Sequence, residues 1–375
     1  MSSTPPPLAS PGVRARAKLV TALAQTWWRR PAGPTRVVLD LTRRCNLRCA
    51  MCHTWSQPVA HELTPAEIGA FLRQCPELVW LDLTGGEPFL RSDIGAVFDA
   101  VVTHARALLV LHFQSNGWFT ARVLDESSRL RERLRARGGD AGELIVTISV
   151  DGPAALHDRI RGRPGSFARA VATADGLRAR GIDVHVGTTL TRHNAGELEA
   201  TWAALREALP WLERRRWHLN AMQLSQHFYG NAALAELRVP VAAALRRHAI
   251  ARGVPHSLTE LMESLYVVNL AAIERGEPAG IRCQALRSTV FVSPEGELLP
   301  CHIYDRPLGN VREHDLRALW RSEHVRRVRA DIDRLACGGC FSACEAYPAL
   351  AGAPLATLRR TVPRTLALLR RDGDG

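Results

Sequence analysis

The sequence predicts an α/β protein built on a parallel sheet and followed by a smaller cysteine-rich module. Six apolar, β-branched segments alternate with amphipathic segments of helical period between residues 36 and 222. The residues best suited to chemistry directly follow these strands, as expected at the carboxyl edge of a parallel sheet. After about Tyr229 the alternation stops, and five of the nine cysteines follow from Cys283 onward.

The predicted strands of the sheet are 36–41, 78–83, 108–114, 144–150, 184–190 and 217–222. The first helix starts at Thr64-Pro65-Ala66-Glu67, where the hydroxyl and the carboxylate can cap each other's backbone and proline needs no donor. This helix extends to about Cys75. Repeated strand-then-helix units imply right-handed crossovers between parallel strands.

The C-terminal part begins with helices over about 239–275, and a β-hairpin follows. The strands 288–292 and 297–301 flank Ser293-Pro294-Glu295-Gly296, in which proline and glycine supply the turn. We therefore divide the chain into a tail (1–34, with a short helix near 18–28), a sheet domain (35–228), a helical connector (229–282), a cysteine-rich α+β module (283–350) and a basic arm (351–375).

The composition limits the possible partners. The formal charge is +12, and Lys18 is the only lysine, so the charge is almost entirely arginine. A basic surface of this kind usually serves solubility, and we expect no stable nucleic-acid complex, although Arg214-Arg215-Arg216 beside two tryptophans is a weak signal for one. Pro363 is expected to interrupt the amphipathic segment 355–371, so a helix packed on the domain is favoured over a membrane-surface arm.

The sequence lacks two signals that would direct the protein out of the cytoplasm or into a membrane. No basic segment is followed by an apolar stretch and a cleavage site, and no stretch of about 18 apolar residues occurs. We therefore expect a cytoplasmic protein without a transmembrane segment. In a reducing compartment its cysteines are expected to be metal ligands or buried thiols rather than disulfides.

The stretch CNLRCAMCH, from Cys45 to His53, places Cys45, Cys49 and Cys52 on one loop after the first strand. Its last five residues match a haem c attachment pattern. Alternatively, the thiols and His53 could hold zinc, or three thiolates could hold an iron–sulfur cluster in which one iron keeps an open position. Haem c would require export and would leave Cys45 unexplained.

The second predicted strand ends in Leu83-Thr84-Gly85-Gly86-Glu87-Pro88. Paired glycines let a ligand approach the backbone closely, and Glu87 offers a carboxylate for an ammonium group. Haem c and zinc leave this motif unexplained, whereas an open cluster accounts for both motifs.

CxxxCxxC followed by GGEP after one helix resembles the radical S-adenosylmethionine (SAM) superfamily over about residues 35–223. The resemblance implies a partial (β/α)6 TIM-like barrel. It implies that Cys45, Cys49 and Cys52 ligate a [4Fe-4S] cluster whose fourth iron is chelated by the amino and carboxylate groups of SAM. The implied contacts to SAM are Met51, Thr84, Gly85, Gly86, Glu87 and Ser149.

Two further motifs follow the third and fourth strands, as in many members of that superfamily. Ser115-Asn116-Gly117 is read as a turn. Ser149 opens the sequence SVDGP and is a candidate contact to SAM, with a purely structural role left open. The sequence HDRIRG from His157 could equally serve salt bridges within a loop or a ligand.

The C-terminal module contains Cys283, Cys301, Cys337, Cys340 and Cys344. The hairpin brings two of these thiols together, and CxxC turns two more toward one metal. The pattern resembles the twitch and SPASM auxiliary-cluster domains, but the full SPASM pattern has seven cysteines and this module has five. We therefore expect one auxiliary [4Fe-4S] cluster held by Cys283, Cys301, Cys337 and Cys340, with Cys344 as a substitute ligand or a spare thiol; a structural zinc ribbon is the alternative.

The resemblance implies an enzyme that reductively cleaves SAM and removes a hydrogen atom from its substrate, for a net oxidation or a bond-forming step. A flavodoxin or ferredoxin would supply the electron. Because the short tail leaves no room for a leader-binding domain, a small metabolite is slightly favoured over a peptide as substrate. A peptide maturase and a non-catalytic iron–sulfur or zinc protein that binds nucleic acid or a membrane surface are the alternatives.

Overall fold

The computed structural model of the protein describes residues 18–19, 21–22, 25–26, 31–59, 61–137 and 143–370. Its centre is a single sheet made of β1 (Arg36–Asp40), β2 (Trp80–Thr84), β3 (Val110–Ser115), β4 (Glu143–Ser149), β5 (Asp183–Leu190), β6 (Trp217–Ala221), β7 (Thr289–Val292), β8 (Glu297–Leu299) and β9 (Gly309–Asn310). The nine strands stand in the order β6-β5-β4-β3-β2-β1-β7-β8-β9.

The first six strands are parallel; the ends of β1 and β2 are level, whereas β5 extends three residues beyond the end of β4. Asp40 of β1 pairs with Thr84 of β2, and Ser149 of β4 pairs with Gly187 of β5. Each strand lies within two residues of its predicted bounds, which confirms the parallel α/β fold. The sheet is curved but open between β6 and β9 in the part of the chain that the structure describes, as in a partial barrel.

Helices connect the parallel strands and continue after them. The α-helices are α1 (Pro65–Arg73), α2 (Ile94–His104), α3 (Thr120–Ala136), α4 (Ala154–Arg161), α5 (Ser166–Ala179), α6 (Leu198–Ala208), α7 (Ala242–Ala251), α8 (Leu258–Ile273), α9 (Leu316–Arg321), α10 (Glu323–Asp333), α11 (Ala343–Gly352) and α12 (Pro354–Arg370). Short 3₁₀ turns lie at Thr54–Ser56, Pro88–Leu90, Arg214–Arg216 and Ala232–Leu237. The predicted helical segment 239–275 is two helices, because Gly253, with φ +72°, and Pro255 separate α7 from α8.

The predicted start of α1 is confirmed. The Thr64 hydroxyl accepts from Glu67 N at 3.3 Å, and Thr64 N donates to the Glu67 carboxylate at 2.8 Å. Arg312 from the C-terminal part also donates to this carboxylate at 2.6 Å. These bonds lower the pKa of Glu67 to about 2.

We expect Thr64→Ala to destabilise the protein by about 1 kcal/mol, because Glu67 N loses the hydroxyl that accepts its hydrogen bond and the reciprocal cap is broken. Thr64→Ser keeps the hydroxyl and should retain most of the stability. Thermal unfolding of the reconstituted protein, followed by circular dichroism, measures the difference. Equal melting temperatures for the alanine and serine variants would contradict the expectation.

The hairpin of the C-terminal module extends the main sheet. β7 lies parallel to β1, with Val37 opposite Val290, and β8 then pairs antiparallel to β7. Gly296 occupies the turn with φ +85°, as its position predicted. β1 therefore has β2 on one side and the C-terminal module on the other.

The C-terminal segment forms a continuous helix, and the expected interruption at Pro363 is wrong. Pro363 faces solvent, so water can satisfy the carbonyl that its missing N–H leaves unbonded. α12 packs on α8, where Asn269 donates to the Thr361 hydroxyl at 2.7 Å. Its outer face exposes Leu355, Leu358, Val362, Leu366 and Leu369.

The structure bears on two sequence predictions, the role of Arg214–Arg216 and the helix near residues 18–28. Each arginine of Arg214–Arg216 pairs with a carboxylate, from Glu199, Glu260 and Asp183 respectively, as expected for a structural role. Within the predicted tail helix 18–28, residues 18–19, 21–22 and 25 are helical and residue 26 is a turn; residues 20, 23–24 and 27–28 lie outside the described residues. No described helix is both long and apolar enough to cross a membrane.

Candidate functional site

The cysteine loop lies across the carboxyl edge of the sheet and is held from three sides. The GGEP turn holds its start, the end of α4 holds its middle, and the segment after β6 holds its end. The backbone hydrogen bonds that do this are Gly86 N to Thr42 O at 2.6 Å, Ala50 N to Ile160 O at 2.8 Å and His53 N to Tyr229 O at 2.7 Å. The path of the loop is therefore set by neighbouring elements.

The three thiols of the loop lie in apolar surroundings. Cys49 is 8% exposed and packs with Leu47, Ile160 and Met222, and Cys45 and Cys52 lie at the margin of the same group. Burial raises the pKa of Cys45 to about 12, and neighbouring Cys49 adds to the rise. A proton on such a thiol is displaced when a metal binds, so a preformed group of buried thiols suits a thiolate-ligated cluster.

Arg161 connects the cysteine loop to the motif after β4. Its Nη1 lies 3.7 Å from the Cys49 Sγ, and its Nε lies 2.7 Å from the carboxylate of Asp151. Burial raises the pKa of Cys49 to about 11, although Arg161 opposes the rise. This buried cation can stabilise negative charge on a thiolate-bound centre.

The rest of the HDRIRG motif is structural. His157 Nδ1 accepts from Asp151 N at 3.0 Å, and burial lowers the pKa of His157 to about 3, so its ring is neutral. The carboxylate of Asp158 accepts from Gly165 N and Phe167 N at the start of α5. The sequence left open whether this motif holds a loop or binds a ligand. The contacts of His157 and Asp158 are those of residues that hold a loop.

The two glycines of GGEP are required because the cysteine loop crosses directly over them. A Cβ on Gly86 would lie 2.3 Å from the carbonyl oxygen of Arg44, and one on Gly85 would lie 2.6 Å from that of Thr42. Gly85 also has φ +148°, which L side chains rarely adopt. Thr84, Gly85 and Gly86 line the cavity described below.

Gly86→Ala should displace the cysteine loop by about 1 Å, because the added carbon would clash with the Arg44 carbonyl. This carbonyl accepts a 2.8 Å bond from Glu87 N, so it cannot move away without the backbone around it. We expect a loss of about 1–3 kcal/mol in stability and a roughly 100-fold slower cleavage of SAM. Gly196→Ala is the matched control, because nothing lies within 4 Å of the added carbon. Unchanged cleavage in the Gly86 variant would show that the loop tolerates the shift.

Glu87 is not among the residues that line the cavity, and the expected contact of its carboxylate with an ammonium group stays a prediction. The side chain is fully buried and accepts from Phe89 N, the Ser115 hydroxyl and Asn116 N at 3.2, 2.9 and 2.8 Å. Burial raises its pKa to about 7 despite these donors. The carboxylate therefore ties the end of β2 to the end of β3, and the cavity meets the backbone of Thr84–Gly86.

The other expected SAM contacts lie on the cavity wall. Met51 is 6% exposed, packs in the apolar group around Cys49, and its carbonyl accepts from Asn231 at 2.9 Å. Ser149 ends β4 and also lines the cavity. The structure thus brings Met51, Ser149 and the GGEP backbone to one space beside Cys45 and Cys52.

The C-terminal cysteines lie around one buried carboxylate, Glu345. Cys283, Cys301, Cys340 and Cys344 are all close enough to it for its charge to raise their thiol pKa values beyond the effect of burial. Cys337 similarly adds to the effect of burial on the pKa of Cys283 and Cys340. The Sγ of Cys301 accepts from Ile303 N and Tyr304 N at 3.4 and 3.3 Å. All five cysteines therefore belong to one neighbourhood.

Cys344 differs from the other four in facing the barrel. It lines the cavity, and the charges that act on it most strongly are those of Arg36 and Asp82 from β1 and β2. Cys283 and Cys301 instead interact with each other and with Cys340. Of the five thiols of the C-terminal module, that of Cys344 therefore lies on the cavity wall, whereas the other four are not among the residues that line the cavity.

The thiols are not converged on a single point. In the part of the chain covered by the structure, no three His, Cys, Asp or Glu side chains approach one another as ligands of one metal ion would. The two ligand sets are therefore inferred from residue type, loop position and mutual proximity.

An aromatic segment joins the two groups of cysteines. Tyr229 lies against Phe228, with ring centroids 4.6 Å apart, and Phe228 lies 5.3 Å from Phe291 of β7. Burial raises the pKa of Tyr229, and the charges of Cys344 and Cys52 raise it further. Tyr229 is thus near both cysteine groups on the cavity wall.

The cavity runs from the cysteine loop into the barrel and has a volume of ≈ 570 Å³, within the usual range for ligand sites. Its wall is mostly apolar but also carries several charged and polar side chains. Asp82 accepts from Arg36 at 2.7 Å and contacts His112 at 2.8 Å, and His218 Nδ1 lies 2.8 Å from Glu263. These residues were missed from the sequence, although polar side chains at alternate positions of otherwise apolar strands were a usable signal.

These features define an α/β enzyme with a buried thiol loop at the carboxyl edge of a partial barrel and a second thiol group in a C-terminal module. A family model described as the radical SAM superfamily matches residues 39–203, and one described as a SPASM iron–sulfur cluster-binding domain matches residues 283–344. The chain belongs to the radical SAM superfamily and is a member of its SPASM-containing enzymes. The families imply SAM, a [4Fe-4S] cluster and auxiliary iron–sulfur binding.

Similar proteins act on different kinds of molecule. The PqqA peptide cyclase of Xanthomonas axonopodis pv. citri is 30% identical over 302 residues, which cover 77% of this chain and 74% of the relative. The AdoMet-dependent heme synthase of Oleidesulfovibrio alaskensis is 25% identical over 347 residues, 81% of each chain. The mycofactocin maturase MftC of Mycobacterium ulcerans is 28% identical over 336 residues, 84% of this chain and 82% of the relative.

Solved structures confirm the fold. Native anSMEcpe with bound AdoMet superposes with a TM-score of 0.59 at 14% identity, over 91% of this chain and 100% of that chain. Streptococcus suis SuiB bound to S-adenosylmethionine gives 0.56 at 14% identity, over 80% and 68%. The similarity in both cases is one of architecture.

Proposed function

We propose that Cys45, Cys49 and Cys52 hold the [4Fe-4S] cluster that binds SAM, with Met51, Ser149 and the backbone of Thr84–Gly86 around the bound SAM. The observation that carries this proposal is that one apolar loop presents all three thiols beside the GGEP turn and the mouth of a ≈ 570 Å³ cavity. The residues fit the group, since thiolates in dry surroundings are the ligands of such clusters. Arg161 places a positive charge beside Cys49.

With its cluster and SAM bound, an enzyme of this superfamily supplies a 5′-deoxyadenosyl radical that removes a hydrogen atom from the substrate. The chain's own part is to position the substrate and exclude water. Leu47, Ile160 and Met222 close off the loop from solvent. In the cavity, Arg36 can donate hydrogen bonds to the substrate. His218 also lines the cavity; Glu263 contacts its Nδ1, which leaves Nε2 as the ring atom that can accept a proton.

For the second site we propose one auxiliary [4Fe-4S] cluster held by Cys283, Cys301, Cys337 and Cys340. Their mutual proximity and the N–H bonds to the Cys301 sulfur support this set. Such a cluster can accept the electron that leaves the substrate, which suits a net oxidation or a bond-forming step. Cys344 would then remain on the cavity wall as a thiol.

We propose a small metabolite or a short peptide segment as the substrate. The mixed polar and aromatic wall of the cavity suits a molecule with several acceptor groups. Relatives named as peptide cyclases, maturases and heme synthases support both substrate classes. A flavodoxin or ferredoxin in the cytoplasm would supply the electrons.

The decisive experiment uses the full chain, purified without oxygen and reconstituted with iron and sulfide. After reduction by dithionite, we expect 5′-deoxyadenosine and methionine to appear from SAM at equal rates. A sample without reductant is the control and should release neither. Tightly held zinc and no 5′-deoxyadenosine release after reconstitution would overturn the proposed function.

A further inference from the structure

The outer surface of the cysteine loop is strongly basic, and it is built by the loop and the segments that hold it. We define the arginine face as Arg48, Arg163, Arg169, Trp55 and Trp118. The Arg163 guanidinium lies 3.7 Å from the Trp118 ring centroid, and that of Arg169 lies 5.3 Å from the same ring. Arg48 lies 4.8 Å from the ring of Trp55. Two tryptophans thus hold three arginines beside the cysteine loop.

The arginine face differs from other arginine-rich parts of the chain in its charge balance. Within the described residues, none of its three guanidinium groups forms an ion pair with a carboxylate, whereas every arginine of Arg214–Arg216 has one. Arg48 and Arg169 are exposed, and Arg163 is half-buried. Stacking on tryptophan orders these side chains without neutralising them. The surface therefore has uncompensated positive charge in fixed positions.

The arginine face also directly adjoins the three thiols, both in the chain and through contacts. Arg48 directly precedes Cys49 in the chain, and Arg163 donates to the carbonyl of Asn46, the residue after Cys45, at 3.2 Å. Trp118 packs in the same apolar group as the thiols. Because electron tunnelling weakens steeply with distance, a donor protein must dock close to the cluster, and a surface that adjoins its ligands meets this need.

We infer that the arginine face is the docking surface for an acidic one-electron carrier protein, which reduces the cluster at Cys45, Cys49 and Cys52. This inference rests on the proposed function. The carrier would lose one electron and the cluster would gain it, with no bond made or broken. Complementary charge steers such encounters and raises their rate by about 10- to 1,000-fold at low salt. An acidic leader peptide is the competing occupant, but it has no need for a short path to the thiols.

The test compares two reductants on the reconstituted full-length enzyme without oxygen. The probe is an acidic flavodoxin in its hydroquinone form, and dithionite is the small-molecule reductant that needs no docking surface. Stopped-flow absorbance measures cluster reduction at several salt concentrations. The test variant is Arg163→Glu/Arg169→Glu. The matched control is Arg317→Glu/Arg326→Glu, which makes the same charge change at exposed positions of α9 and α10 that form no ion pair with any described carboxylate.

We expect the test variant to be reduced by flavodoxin at least about 10-fold more slowly at low salt, with most of the salt dependence lost. Reduction by dithionite and the resulting 5′-deoxyadenosine release should stay as in the parent. Arg163→Lys/Arg169→Lys should keep most of the flavodoxin rate. Arg169→Glu alone, which lies on α5 away from the loop, should show a smaller loss in the same direction.

Two results would overturn the inference. One is equal flavodoxin rates in the parent and in both glutamate variants of the arginine face. The other is an equal loss in the Arg317→Glu/Arg326→Glu control, which would assign the effect to net charge. Failure of the parent to cleave SAM even with dithionite would instead count against the proposed function, so the two failures are distinguishable.

Discussion

Replacement of Cys45, Cys49 and Cys52 by alanine is expected to abolish 5′-deoxyadenosine release, because no other described cysteine lies in their loop. Iron should fall from about eight to about four atoms per chain, since the C-terminal group is untouched. Both quantities are measured on protein reconstituted in parallel. Cys75→Ala is the matched control, because Cys75 is a buried thiol that bonds only to the carbonyl of Phe71.

This expectation would be contradicted by residual, reductant-dependent cleavage of SAM in the triple variant. Loss of all iron would also be informative, because it would show that the C-terminal group cannot assemble without the first. Loss of iron in the Cys75→Ala control would indicate a general defect of the fold.

Cys283→Ala is expected to lose about four iron atoms while the first cluster remains, because the variant removes one of four proposed ligands. Cys344→Ala should retain about eight, since its thiol faces Arg36 and Asp82 on the cavity wall. Mössbauer or iron analysis of the two variants, prepared side by side, measures the contrast. Dithionite-driven cleavage of SAM should continue in both.

The reverse result would change the ligand set. Retention of iron in Cys283→Ala, together with its loss in Cys344→Ala, would place Cys344 among the ligands and put the auxiliary cluster against the cavity. Replacement of iron by zinc in the parent module would favour the structural zinc ribbon.

The sequence predicted the parallel sheet because its strands carry continuous apolar patterns and its helices begin with recognisable caps. It also predicted that the CNLRCAMCH and GGEP motifs lie close together, since motifs that follow parallel strands meet at one edge of the sheet. These are consequences of local pattern and of a general rule of topology. They required no knowledge of which strands are neighbours.

Long-range pairing was the part that local pattern could not supply. Nothing in the hairpin 289–299 indicates that its first strand lies parallel to β1. The hydrogen-bond partners of Glu87 were missed for a similar reason, because Ser115 and Asn116 lie at the end of another strand. Pro363 was judged by its local effect alone, and the structure shows that its solvent-facing position removes most of that effect.

The position of β1 has a consequence for how the enzyme acquires its iron. Because β1 runs directly into the first cysteine loop and pairs with β7 on its other side, the same strand orders both thiol groups. Filling either group restrains this strand and lowers the entropy cost of ordering the other. Titration of the iron-free chain should therefore show cooperative loading, with few molecules that carry a single cluster.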